Sequence, residues 1–353
     1  MSTSTPRAAG RHDWVDAAKG IAIILVVLYH AILFAGEAGI SSRWSTVAAT
    51  LSTFRMPLFF FAAGLFAAKA LSWSLPELWR KRILRLLWIY VLWSALWLIV
   101  AALLPAAGLE SGSDGILGLL SLPVRPNAST WFVYALAVYF VIAWLVRLLP
   151  VWLQIAPAVV LTVLLQMNAL RSGDVTLDKM GMYLTFFLLA VHLGRHVLAI
   201  APRIRGWHAV VVGLSYVLLT GIASAASLYY VPGVQLILSV VAVATGVTVS
   251  VTLARVPWAR GLVSLGSRTL PVYLLHFAPV LLGAALLAPM AGRMGPAALA
   301  VPPLLTVVAI AVSLLLHRLT RRVPGLYGLP RWLDRTTRSS GRHAEAAAEG
   351  SRV

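Results

Sequence analysis

The sequence predicts an all-α membrane protein of about ten transmembrane helices with cytoplasmic N- and C-termini, and three observations predict it. Of the 353 residues, 60% are hydrophobic and 11% charged, whereas ordinary soluble domains carry about 25% charged residues. A chain of this composition folded in water would display apolar side chains over most of its surface, so lipid is the expected solvent. The apolar residues also gather into ten runs near the roughly 20 residues a helix needs to cross a hydrocarbon core. Finally, the 29 Lys and Arg, against 11 Asp and Glu, sit in short clusters between those runs. That is the pattern of membrane topology rather than of nucleic-acid binding.

The runs cover residues 15–34, 47–70, 83–104, 131–149, 151–167, 180–199, 209–230, 234–253, 262–290 and 299–319. The fourth and fifth almost touch at Pro150, and the long ninth contains Pro271 and Pro279, which can kink or break it. With the N-terminus cytoplasmic, inside segments hold 22 of the basic residues. Outside loops hold five, Arg43, Arg125, Arg171, Lys179 and Arg293, while Lys19 and Arg55 fall within spans. This imbalance sets the orientation. A secretory signal is the alternative for the first run, but nine further spans follow and His30 interrupts its apolar stretch. The chain divides into a cytoplasmic segment 1–12, a membrane domain 13–325 and a polar tail 326–353 expected to be disordered. Cysteine is absent, which excludes disulfides, thiolate metal sites and a Cys nucleophile; no metal site is expected.

Ionisable groups at membrane depth are costly, so function is the default hypothesis for them. In DAAKGIAIILVVLYH the eleven steps from Lys19 to His30 bring both side chains to one helix face, within about 20° of three full turns and about 16 Å apart along the axis. A cation at the cytoplasmic end and an imidazole deeper in suit an anionic donor with a reactive group on a long arm. His30 is the candidate base, unless a backbone carbonyl merely satisfies it. Asp16 is too far away to orient it and pairs more readily with Lys19 at i+3. The other acids, Asp13, Glu37, Glu77, Glu110, Asp114, Asp174, Asp178, Asp334, Glu345 and Glu349, lie outside the runs. Their scarcity within spans weighs against an ion-coupled transporter.

In TFRMPLFFFAAGLF, Arg55 faces protein or water and can hold a substrate anion or a developing oxyanion, or else bond interhelical carbonyls. Phe59, Phe60 and Phe61 read as packing. LWRKRILRLL puts Arg82 and Arg85 three apart, on one face beside the membrane, as a phosphate-binding pair or a positive-inside anchor. Tyr273 and His276, three apart in LGSRTLPVYLLHF, are further candidates for substrate contact, with helix packing as the alternative.

Together, DAAKGIAIILVVLYH, FRMPLFFFAAGLF, KRILRLL, TWFVYAL and LGSRTLPVYLLHF resemble the acyltransferase-3 family of integral membrane acyltransferases, especially its fucose 4-O-acetylase-like, sugar O-acetyltransferase branch. The resemblance spans residues 13 to 320 and keeps the order of the motifs. It implies ten membrane helices, acyl-CoA (usually acetyl-CoA) as co-substrate with no permanently bound cofactor, and a hydroxyl of an extracytoplasmic or lipid-linked glycan as acceptor. It also implies a catalytic role for His30 and donor binding by Lys19, Arg82 and Arg85. The sequence departs from the family pattern at Lys19, where Arg is common, at Ala63, and at Thr269 and Leu270. A non-enzymatic glycan exporter or flippase of the cell membrane is the alternative reading.

Overall fold

The computed structural model describes residues 12–40, 43–103 and 120–333, and they are all helical or irregular, without strands. Residues 1–11, the acids Glu110 and Asp114, and the tail from 334 lie outside the described residues. In chain order the α-helices are α1 (Asp13–Glu37), α2 (Ser45–Thr50), α3 (Ser52–Gly64), α4 (Ala67–Leu71), α5 (Leu75–Leu78), α6 (Leu84–Leu103), α7 (Trp131–Val146) and α8 (Val151–Gln166). There follow α9 (Val175–Ile200), α10 (Gly206–Ala225), α11 (Val234–Leu253), α12 (Arg260–Gly266), α13 (Thr269–Leu275), α14 (Phe277–Leu287) and α15 (Val301–Thr320).

Seven continuous stretches among the described residues are long and apolar enough to span a bilayer, and the bent stretch from Thr269 to Arg293 makes an eighth candidate. The two remaining apolar runs, α7 and α8, are helices of 16 residues, about 24 Å long by helix rise. Pro150 separates them as the residue that caps α8, because a proline fixes an extended entry without needing a donor at the first turn.

The first run forms α1. It is the helix around which the others assemble, packing against α3, α11, α12, α14 and α15. Its inward positions are small or β-branched, with Ala17, Ala22, Ile23, Val27, Ala31 and Ala35 wholly buried, and small residues let helix backbones approach closely in lipid. The nearest approach is to α12. A Cβ on Gly266 would lie 1.6 Å from the Asp16 carbonyl oxygen, and one on Gly20 would lie 2.5 Å from the Leu262 oxygen. Only glycine fits at this crossing.

The ninth run differs from a single long span. Its start forms α12, seven residues packed on the first half of α1, and the rest bends by 42° between α13 and α14, at His276. Pro279 accounts for the bend: it has no N–H for the Leu275 carbonyl, and its ring crowds that carbonyl. Two further boundaries move. The sixth span begins at Val175 rather than 180, which draws Asp178 and Lys179 into a helix. Leu326 and Tyr327, at the start of the polar segment, pack against the bundle: Trp93 donates to the Leu326 oxygen at 2.8 Å, and the Tyr327 hydroxyl bonds Thr320 at 2.7 Å.

Gly266→Ala should therefore lower the thermal stability of the detergent-solubilised protein by an amount at or above the roughly 1–3 kcal/mol typical of overpacking. Gly261→Ala, one turn away with open space around its Cβ, should be neutral or stabilising by about 0.5–1 kcal/mol. Equal melting temperatures for the two variants would show that the α1–α12 crossing can yield.

Candidate functional site

α1 carries His30 into a cavity of about 470 Å3, whose lining includes Tyr29, Arg55, Trp97, Asn127, Ser129, Trp131, Lys179 and Tyr273. His30 lies seven residues from the C-terminal end of α1, about 10 Å by helix rise, so the cavity is nearer that end. One wall is the loop before α7, which is tied down through its own polar groups. The Ser94 and Thr130 hydroxyls bond at 2.8 Å, Tyr90 donates to the Leu122 oxygen at 2.9 Å, and Ser129 N–H donates to the Asn127 side chain at 2.9 Å. The Tyr273 hydroxyl accepts from Phe132 N–H at 3.2 Å, satisfying one of the orphan donors in the first turn of α7. This residue lines the cavity and also fixes its wall.

His276 lies behind His30. It is 1% exposed and, unlike Tyr273, is not among the residues lining the cavity. Its Nδ1 faces the Tyr273 oxygen at 2.7 Å and the Val272 oxygen at 3.1 Å, while its Nε2 lies 3.1 Å from Nδ1 of His30. Carbonyl oxygens only accept, so His276 Nδ1 must carry a proton, which in a neutral imidazole leaves Nε2 as an acceptor. His30 Nδ1 then faces two acceptors, this nitrogen and the Val26 oxygen at 2.9 Å. It must be the protonated nitrogen, and the lone pair of His30 falls on Nε2. The bent helix thus sets the tautomer that a general base requires. The His30 ring is further held by edge contacts with Tyr29 and Phe277.

Arg55 is 9% exposed, lies over the Tyr29 ring at 3.8 Å and donates to the Ala48 oxygen at 3.1 Å. It thus bonds a backbone carbonyl and also lines the cavity. Lys179 was missed because the apolar run was begun after it, which assigned it to an outer loop. Phe59, Phe60 and Phe61 are buried packing, with Phe59 stacked on Phe132 at 4.4 Å.

The residues expected to bind the donor lie elsewhere. Lys19 pairs with Asp16 at 3.8 Å near the start of α1. Arg82 sits in a π-helical turn, Trp79–Ile83, that joins α5 to α6, and both Arg82 and Arg85 are exposed. The even three-residue spacing on an α-helical face does not apply across that turn, although π-turns recur at functional sites. None of the three lines the His30 cavity. Among the described residues no group of three or more metal-binding side chains exists.

A bundle with seven or eight helices long and apolar enough to cross a bilayer is a multi-pass integral membrane protein. The chain belongs to the acyltransferase 3 family: the model of its acyltransferase domain matches residues 12–318. No curated protein and no solved structure matches it significantly. The protein is therefore an acyltransferase, and the exporter reading falls away.

His276→Phe should preserve the packing volume but remove the acceptor for His30 Nδ1–H. Acyl transfer should fall about 10- to 100-fold, by analogy with the loss of the group that orients a metal-binding histidine, with KM for the donor little changed. Full activity in a well-folded His276→Phe protein would show that Val26 alone sets the tautomer.

Proposed function

We propose that this membrane acyltransferase moves an acetyl or other short acyl group from cytoplasmic acyl-CoA to a hydroxyl of an extracytoplasmic or lipid-linked glycan at the cell membrane. The observation that carries the reading is His30 lining a cavity with indole, amide and hydroxyl walls while its Nδ1 faces the Val26 oxygen and His276 Nε2, contacts from which the free lone pair on Nε2 is inferred. Such walls suit a sugar ring, which stacks its C–H face on aromatics and hydrogen-bonds at its edge.

In this mechanism His30 Nε2 takes the proton of the acceptor hydroxyl as its oxygen attacks the thioester carbonyl. The resulting imidazolium is held through Nδ1–H by the Val26 oxygen and His276 Nε2. Arg55 and Lys179 supply positive charge where the tetrahedral oxyanion forms. As the C–S bond breaks, the proton on His30 passes to the CoA sulfur, giving the ester and free CoA. The same lone pair could take the acyl group first; trapping of an acyl-enzyme before acceptor is added distinguishes that route. The donor enters from the side of the N-terminus, with its phosphates at Arg82, Arg85 and Lys19 and its pantetheine arm along α1 toward His30, a path of about 16 Å.

His30→Ala and His30→Gln should both abolish transfer from labelled acetyl-CoA to cell-envelope glycans while the protein remains monodisperse; near-normal transfer in either would remove His30 from the chemistry. For the donor, replacing Arg82 and Arg85 together by Gln should weaken CoA binding about tenfold or more. Lys19→Met should raise KM for acetyl-CoA more than it lowers kcat. Unchanged donor binding would leave Arg82 and Arg85 as topological anchors, and unchanged KM would leave Lys19 as the partner of Asp16.

A further inference from the structure

Arg55 borders a second space. An apolar groove of about 690 Å3 lies between the C-terminal half of α1 and α2, with walls that include Ile32, Leu33, Ser45, Ala49 and Ser52. It meets the His30 cavity at Tyr29, Leu33, Glu37 and Arg55, which line both. The two spaces differ in chemistry. The cavity presents indoles, an amide, a hydroxyl and Lys179, while the groove presents mostly hydrocarbon.

At their junction, a guanidinium with five N–H donors has one hydrogen-bond acceptor among the described residues, the Ala48 oxygen. The rest of its contact is the face of Tyr29. Its remaining donors border both spaces, and phosphate oxygens match this donor fork. Lys179, within electrostatic reach of Arg55, adds a second positive charge. Glu37, also at the junction, is exposed and makes no ion pair with Arg55 among the described residues.

A ligand that satisfies cavity, junction and groove together must be polar at one end, anionic in the middle and apolar at the other. We infer that the acceptor is a sugar joined through phosphate to a long hydrocarbon chain, with the sugar beside His30, the phosphate on Arg55 and the first chain units in the groove. From Tyr29 to Glu37 the groove follows α1 for about 12 Å, a length that holds the first chain units. The inference rests on the reading of the cavity as the acceptor site, and among glycan acceptors it selects the lipid-linked ones over a finished polymer.

The test uses the full-length protein in lipid nanodiscs and a farnesyl-phosphoryl-glucose probe carrying a photoactivatable diazirine on its first isoprene unit. Mass spectrometry after illumination should find the label on residues 45–52 and 29–37. Labelling should fall about tenfold or more in Arg55→Gln, through loss of the charge-assisted bonds to phosphate. Ala49→Trp and Ser45→Trp, two independent ways of filling the groove, should reduce it similarly. Excess unmodified farnesyl-phosphoryl-glucose should compete, and octyl glucoside, which has a tail but no phosphate, should not.

Label spread evenly over the lipid-facing helices, or indifferent to both groove-filling variants, would overturn the inference. Equal competition by octyl glucoside would overturn the role of the phosphate. Failure of the underlying reading is distinguishable, because it appears as acetyl transfer to envelope glycans that survives in His30→Ala.

Discussion

The structure depends on the backbone-to-backbone contact between α1 and α12 at Gly20 and Gly266. It stands at the opposite end of α1 from the cavity, yet it fixes where the chain leaves α12 and thus where α13 arrives beside His30. Without a side chain at either crossing point, Leu262 and Gly266 lie directly on the α1 backbone. In a bilayer there is little hydrophobic drive to bring helices together, so close van der Waals contact between small residues is what holds such a crossing. Seven residues of α13 then carry His276 to within hydrogen-bond reach of His30.

Two histidines in contact would ordinarily leave the proton positions ambiguous. Here the backbone removes the ambiguity, because the groups facing each Nδ1 apart from the other ring are carbonyl oxygens. No carboxylate takes part in these contacts of the two rings. The bend at Pro279 is part of the same device, since it falls at His276 and turns α14 so that Phe277 closes over the His30 ring.

Much of this was legible in the sequence for a simple physical reason: hydrophobic length and basic clusters are one-dimensional signals. The ten apolar runs, the in-span positions of His30 and Arg55, and the packing role of the Phe59–Phe61 run could be read without coordinates, as could the pairing of Lys19 with Asp16. What escaped was relative position. His276 was visible as a candidate but not as the group that holds His30, because 246 residues separate them. Lys179 was hidden by the habit of starting a span at its first apolar residue, although a lysine one turn inside a helix can reach a polar cavity. The π-turn at Trp79–Ile83 has no sequence signature, so the geometry around Arg82 could not be foreseen. Family motifs marked candidate residues; the structure showed that His30 and His276 meet.

The most direct measurement is nitrogen-15 NMR of the protein with ring-labelled histidine, in lipid nanodiscs at neutral pH, with the His30 signals assigned by comparison with His30→Ala. The account predicts a neutral His30 protonated on Nδ1 with a bare Nε2, and an Nδ1 signal that shifts when His276, one of its two acceptors, is replaced by Phe. A His30 protonated on Nε2 would contradict it, because the only lone pair would then point away from the cavity, toward two acceptors.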